Sequence, residues 1–330
     1  MTRRFVLLLC LTVLVPKLAM AAYSSLYVFG DSLSDGGNAY ALSNGAWPPS
    51  PPYAERFTNG PTAAEVLAAQ LGIVGFGPSA TGGTNHAVGG ATTGTGNFNY
   101  LVGNPPGLPP VFEHTGIQAQ VGAFSGTIFD PASSLFMVWG GPNDVFLGLA
   151  LGHDLGAVAG SAVANIAASI TQLALLGATD FLVPNMPDLA VTPFGLALDP
   201  TSQNALALLS AGFNAGLAAT MEHVRTTLGP LVPALNIVEF DVALFLATVI
   251  ADPDPYGFSN VTDPCFALPS CDGALFVDAV HPTAHAHALL GAAFAAAVAQ
   301  QVPEPVTLAM VALGLFALGG SRRWRRARAK

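Results

Sequence analysis

Tyr27-Val28-Phe29-Gly30-Asp31-Ser32-Leu33-Ser34-Asp35 is the stretch on which the fold turns. A short apolar, β-prone run stops abruptly at Gly-Asp-Ser. Such a run, bounded by turn residues, reads as a buried strand. Its end would deliver a serine hydroxyl to the rim of a sheet. The partners that this hydroxyl needs all come later: Gly89-Gly90, Gly141-Pro142-Asn143-Asp144 and Asp278-Ala279-Val280-His281.

Working outward, strand signals alternate with helix signals. Strands are expected at 26–29, 85–88, 135–139, 181–184 and 237–240. Helices are expected at 62–71, 155–176, 202–228 and 283–300, the first opened by Pro61 and stopped by Gly72, the last following Pro282. Residues 91–110, rich in Gly, Thr, Asn and Pro, predict a long surface loop. The alternation predicts an α/β fold, a mostly parallel sheet with helices on both faces. Ligands bind beyond the carboxyl ends of such strands. Ser32, Gly90 and Asn143 each follow an expected strand, so three distant polar groups should meet at one edge.

A serine hydroxyl becomes a nucleophile only when a neighbouring base takes its proton. His281 is the candidate base, and Asp278 the carboxylate that would orient its ring. The oxyanion would need preorganised donors: the N–H of Ser32, the N–H of Gly90 (Gly89 being the alternative) and the Asn143 amide. Each has a plainer reading. Ser32 suits a helix cap, His281 and Asp278 a solvated loop, and Asn143 a turn. Asp35 and Asp144 are expected to brace loops. Trp47, among Pro48, Pro49, Pro51 and Pro52, suits either an acyl or sugar site or a packed loop. His281, His285 and His287 invite a metal reading, but no Glu follows the first and Pro282 starts a helix there. No metal site is expected, and His285 and His287 are assigned to a helix surface.

Together the four segments resemble the SGNH (GDSL) hydrolases, in the branch of secreted bacterial lipases and plant GDSL esterases. The matching segments run from Phe29 to Asn38, from Asn85 to Ala91, from Gly141 to Asp144 and from Asp278 to Thr283. Lesser echoes are Arg56-Phe57-Thr58-Asn59-Gly60 and Asn185-Met186-Pro187-Asp188. Proline at 142 departs from the usual small or polar residue. The resemblance covers 26–296. It implies a three-layer α/β/α, flavodoxin-like fold with a five-stranded, mostly parallel sheet, and no metal or organic cofactor. It also implies hydrolysis of a small-molecule or lipid ester through an acyl-serine. Ser32, Asp278 and His281 would be catalytic, with Ser32, Gly90 and Asn143 forming the oxyanion hole. A carbohydrate acetylesterase, or a non-catalytic protein holding matrix polysaccharide, remains the alternative. The Gly-x-Ser-x-Gly elbow of α/β-hydrolases is absent, since position 34 is Ser.

The two ends read differently from the body at 22–301. Residues 1–21 have the order of a secretory signal peptide: Arg3-Arg4, an apolar run and Ala19-Met20-Ala21. In 302–330, Val302-Pro303-Glu304-Pro305 precedes an apolar run at 306–320 and an Arg-rich tail. This cassette resembles the PEP-CTERM sorting signal. It implies a transient stay in the inner membrane through 306–320 and processing by an exosortase-type enzyme. Delivery would be to the cell surface or extracellular matrix of a Gram-negative bacterium; a retained anchor is the alternative. Of eleven Lys and Arg, only Arg56 and Arg225 lie in the body. A nucleic-acid partner is thereby excluded, as are mechanisms that need a lysine. Cys10 falls in the signal; Cys265 and Cys271 are expected to form a local disulfide in an oxidising compartment, with free thiols the alternative.

Overall fold

The computed structural model describes residues 23–300, apart from 126 and 128. The expected leader at 1–21 and the cassette at 302–330 lie outside these residues. At the centre is a four-stranded, all-parallel sheet in the order β1-β2-β3-β4. Its strands are β1 (Ser25–Gly30), β2 (Ser134–Trp139), β3 (Asp180–Pro184) and β4 (Asn236–Phe240). Phe29 aligns with Val138, Leu135 with Asp180, and Pro184 with Phe240. Every residue of β2 is buried. A strand covered on both faces has no polar side to present, which is why these strands read as continuous apolar runs.

The helices of two turns or more are α1 (Ala63–Gln70), α2 (Ile117–Phe124), α3 (Pro142–Leu151), α4 (Leu155–Leu175), α5 (Pro200–Leu228), α6 (Val242–Ala251) and α7 (Ala284–Gln300). Their starts are written in the sequence. Thr62 and Glu65 close a capping box on α1. Asp154, Asp199 and Asp241 each accept backbone N–H groups at the heads of α4, α5 and α6. One face of the sheet, with Tyr27, Phe29, Phe136 and Phe181, packs against α2, α4 and α5. Toward the other face, Trp139 and Phe240 meet Phe294 of α7 at ring-centroid distances of 5.8 and 4.8 Å. α7 lies against α1 through Gly291, where a Cβ would meet Ala63 O and Val66 Cβ at 2.6 Å. α4 is long and apolar enough to cross a membrane, yet its buried stripe, including Ile166, Ile170 and Leu173, belongs to this core.

Three expectations need correction. The sheet has four strands, not five. Segment 84–88 does lie along the free edge of β1, with bonds from Val28 N to Thr84 O, His86 N to Val28 O and Val88 N to Gly30 O. It does not continue as a strand because the Gly30 N–H that the next ladder bond needs is taken by the Gln120 side chain, whose Oε1 accepts it at 2.9 Å. On the side away from β1, Asn85 Oδ1 accepts the Ala87 N–H at 3.0 Å, and Asn38 Nδ2 donates to Asn85 O and Ala87 O at 2.7 and 2.8 Å.

Residues 91–110 are not simply a surface loop. Ala91, Thr92, Thr93 and Asn97 are buried, because Asn97 Nδ2 donates to Gly89 O at 2.7 Å and to Thr115 Oγ1 at 2.9 Å. A short helix, Phe98–Val102, follows.

His287 is not on the helix surface. It is buried, and its Nδ1 accepts the Ala63 N–H at 3.1 Å, tying α7 to the head of α1. His285 is exposed as expected.

Candidate active site

Ser32 sits in the turn that follows β1, held by bonds from Ser34 N and Asp35 N to Asp31 O. It caps no helix: the next one, Asn38–Leu42, has Gly37 at its N-cap. The Ser32 Oγ lies 2.7 Å from His281 Nε2, and His281 Nδ1 lies 2.7 Å from Asp278 Oδ2. With Nδ1–H donating to the carboxylate, Nε2 is the acceptor facing the serine hydroxyl. In this tautomer the ring is placed to take the Ser32 proton.

Several elements fix the His281 loop. Asp278 Oδ1 accepts the N–H groups of Val280 and His281 at 2.9 and 2.8 Å. Thr58 Oγ1 donates to Pro282 O at 2.9 Å, and Asn59 Oδ1 accepts the Ala284 N–H at 2.7 Å. Phe57 packs 5.4 Å from the His281 ring. Arg56 braces that segment with a bidentate bond to Glu65, Nε to Oε2 at 2.8 Å and Nη2 to Oε1 at 2.6 Å. The Arg56 to Gly60 segment is thus a clamp on the histidine.

The electrostatics follow from this geometry. Burial would raise the Asp278 carboxyl, but the charge and hydrogen bond of His281, the Tyr53 hydroxyl and the Val280 N–H hold it well below the usual carboxylate range. Burial would lower His281, but the charge and hydrogen bond of Asp278, with the charge of Asp31, leave it above 6.5.

The oxyanion candidates surround the same hydroxyl. Gly89 is excluded as a donor because its N–H is spent on Asp35 Oδ2 at 2.8 Å. Asp35 Oδ1 also receives Gly37 N and Asn38 N, so this buried carboxylate ties the Ser32 turn to the glycine turn. The N–H groups of Ser32 and Gly90 make no hydrogen bond among the described residues. Gly90 has φ +77°, a left-handed conformation that favours glycine.

Asn143 lies in the first turn of α3, where Pro142 occupies the first helical position. Its Nδ2 donates to Ala91 O at 3.1 Å and, more weakly, to Asp31 Oδ2 at 3.3 Å. The longer bond is the one an oxyanion would share or replace. Burial pushes Asp31 up to about 7, against the Leu33 N–H and the charge of His281. Asp144 supports the glycine loop rather than Asn143: its two oxygens take Thr93 N at 2.9 Å and Thr93 Oγ1 at 2.7 Å.

Ser32, Gly90, Asn143 and His281 line one cleft of about 260 Å³, walled by Trp47, Tyr53, Phe57, Phe98 and Phe146. Trp47 is both a cleft residue and a packed one, 4.7 Å from Phe57 and 5.5 Å from Phe112. Cys265 and Cys271 are joined in a disulfide with Cα atoms 4.9 Å apart. The three histidines of the metal reading turn to separate partners: His281 to Ser32 and Asp278, His285 to Tyr256 O, and His287 to Ala63 N.

The model of the GDSL-like lipase/acylhydrolase family matches residues 26–294, which takes in every one of these positions. The chain belongs to this family. A PEP-CTERM protein-sorting motif matches 301–323. Among its relatives, the phosphatidylcholine-sterol acyltransferase of Aeromonas hydrophila is 30% identical, over 81% of this chain and 73% of its own length. Esterase EstA of Pseudomonas aeruginosa is 29% identical over 81% of this chain, which spans 46% of that relative. A solved member of the lipolytic G-D-S-L family from Veillonella parvula covers 84% of this chain and 99% of its own at 14% identity, with a TM-score of 0.42.

Sequence reasoning about this GDSL chain missed Tyr53, whose hydroxyl donates to Asp278 Oδ2 at 2.6 Å. It also missed the cleft walls Phe98 and Phe146. The only signal for Tyr53 was its position just ahead of the Arg56 to Gly60 echo.

Proposed function

We propose that this chain is an exported serine esterase that hydrolyses carboxylic esters through an acyl-serine intermediate. The observation that carries the reading is the unbroken hydrogen-bond chain from Ser32 through His281 to Asp278 at the head of an apolar-walled cleft. His281 Nε2 takes the hydroxyl proton as Ser32 Oγ attacks the ester carbonyl. The tetrahedral oxyanion is met by Ser32 N–H, Gly90 N–H and Asn143 Nδ2. His281 then returns the proton to the leaving alcohol. Water, deprotonated by the same ring, attacks the acyl-serine; the acyl–Oγ bond breaks, the acid leaves, and His281 returns the proton to Ser32 Oγ. Asp278 holds the ring's orientation and offsets its transient charge.

We read the fold as the three-layer α/β/α, flavodoxin-like arrangement of the family, supported by helices on both faces of the sheet. The domain reading keeps 1–21 as a cleaved leader and 22–301 as the hydrolase. The sorting motif supports processing of 302–330 by an exosortase-type enzyme and release at the cell surface. The esterase and acyltransferase names of the relatives favour acyl esters over acetylated glycans.

The test is hydrolysis of p-nitrophenyl esters by the wild type beside Ser32→Ala. Activity that disappears in the variant supports the reading. Activity that persists removes Ser32 from the mechanism, and a folded protein inert on every ester moves weight to a binding role.

A further inference from the structure

A second cavity lies behind the cleft. Leu33, Pro187 and Val280 line both, so these three side chains form the partition between them. The remaining wall is built by Trp139 at the end of β2, Phe245 and Leu246 on α6, and Ala286 and Leu290 on α7, with Leu275 and Phe276 beneath. Thr192 is the one polar side chain among the lining residues, and its Oγ1 already donates to Leu189 O at 2.7 Å.

The free volume is about 40 Å³. A water needs roughly 10–15 Å³ and two to four polar partners. Space suffices for water here, but partners do not. An unfilled apolar void forfeits dispersion contacts on every wall, so a cavity of this kind is best filled by something equally apolar. Its position beside the nucleophile says what that is. Leu33 directly follows Ser32, and Val280 directly precedes His281, so the partition stands next to the reacting atoms.

Resting on the esterase reading above, we infer that this chamber receives the end of an alkyl chain of the ester substrate. Leu33, Pro187 and Val280 are its entrance, and α6 and α7 its far wall. The chamber makes the enzyme prefer esters with an extended hydrocarbon chain over acetyl esters of small alcohols. Its small volume sets a limit on chain length that depends on residues 246, 286 and 290.

The test uses the full chain and two ester series. In one, p-nitrophenyl esters carry acyl chains from acetyl to dodecanoyl. In the other, alkyl butyrates carry alcohols of increasing length. Ala286→Leu fills the chamber, and it should lower the long-to-short ratio of kcat/KM by about tenfold or more in one series. Leu290→Ala widens it and should move the optimum in that series to longer chains, which guards against a filling variant that fails to fold. The series that responds identifies whether the acyl or the alcohol chain enters.

A second readout needs no turnover. In a Trp47→Phe/Trp324→Phe background, a terminally brominated fatty acid or fatty alcohol should quench Trp139 emission, and Ala286→Leu should abolish that quenching. Ser32-dependent hydrolysis with the same chain-length profile in wild type and both variants overturns the chamber but not the esterase. Absence of quenching by either probe overturns the chamber even where no ester is turned over. Quenching without any Ser32-dependent hydrolysis keeps the alkyl site and overturns the esterase reading.

Discussion

Tyr53 Oη donates to Asp278 Oδ2 over 2.6 Å, and that same oxygen lies 2.7 Å from His281 Nδ1. With Val280 N and His281 N on Oδ1, the carboxylate is held from four directions. Burial and the neighbouring Asp278 charge raise Tyr53 well above the usual phenol range, so it stays a donor. Tyr53→Phe removes one compensating dipole from Asp278. The negative potential at His281 then deepens, and its pKa, already above 6.5, rises further. The acid limb of kcat/KM is therefore expected to move to higher pH, by about half a unit to one unit, with rates on that limb down about three- to tenfold. A pH profile of both proteins decides it. An unchanged limb would reduce Tyr53 to a space-filling residue.

Gly90 tests the oxyanion assignment. A Cβ there would meet Asn99 Oδ1, and Asn97 Oδ1 at 2.6 Å, in a backbone with φ +77°. Gly90→Ala must push the turn away from both groups and carry its N–H out of line with the Ser32 hydroxyl. Losing one preorganised donor costs about 10²–10³ in kcat. The expected pattern is a fall in kcat with KM little changed, because the donor acts on charge that develops only in the transition state. A rise in KM alone would instead make Gly90 part of the ground-state binding wall.

The strands were legible because a doubly covered parallel strand has to be apolar throughout, as 135–139 is. Ser32, Gly90 and Asn143 were legible as candidates because each follows an expected strand, and Asp278 and His281 because of their three-residue spacing just ahead of Pro282. What escaped detection depends on long-range side-chain contacts. Gln120 takes the Gly30 N–H that the fifth strand needs, and nothing local in 85–88 announces it. The run at α6, Val-Ala-Leu-Phe-Leu-Ala-Thr-Val-Ile-Ala, carries no helical period to distinguish it from a buried strand. Tyr53 reaches Asp278 across a sequence separation of 225, and a tyrosine among prolines gives no pattern that points there.

The disulfide should act on catalysis through Tyr53. Phe266, between Cys265 and Cys271, packs edge-on against the Tyr53 ring at 4.9 Å and 88°. Opening the loop with Cys265→Ser/Cys271→Ser frees Phe266 and with it the wall that holds the Tyr53 hydroxyl on Asp278. Stability should fall by about 2 kcal/mol, modest because the closed loop is short. The acid limb of kcat/KM should shift in the same direction as in Tyr53→Phe, but less. Thermal melts and pH profiles on the double variant, with and without Tyr53→Phe, test the coupling. Shifts that simply add would mean the disulfide acts elsewhere.

His287 makes the fold acid-sensitive. Burial, with the charge of His281, lowers it from 6.5 to about 3, and its Nδ1 must stay unprotonated to accept the Ala63 N–H at 3.1 Å. The unfolded chain binds the proton near 6.5 and the folded chain does not. The stability that His287 contributes is therefore complete above 6.5 and is lost as pH falls from there toward 3. Each unit in that window is worth about 1.4 kcal/mol, so roughly 2 kcal/mol disappears between pH 7 and pH 5. His287→Asn keeps an acceptor near the same position and removes the titrating site. Denaturant unfolding at both pH values should show the wild type losing about 2 kcal/mol more than the variant on acidification. The comparison across pH cancels the packing cost of the substitution. It also cancels the parallel contribution of His86, which burial lowers to about 4 and which both proteins retain. Equal losses in the two proteins would mean that His287 is protonated in the fold and that α7 is tied to α1 by packing at Gly291 instead.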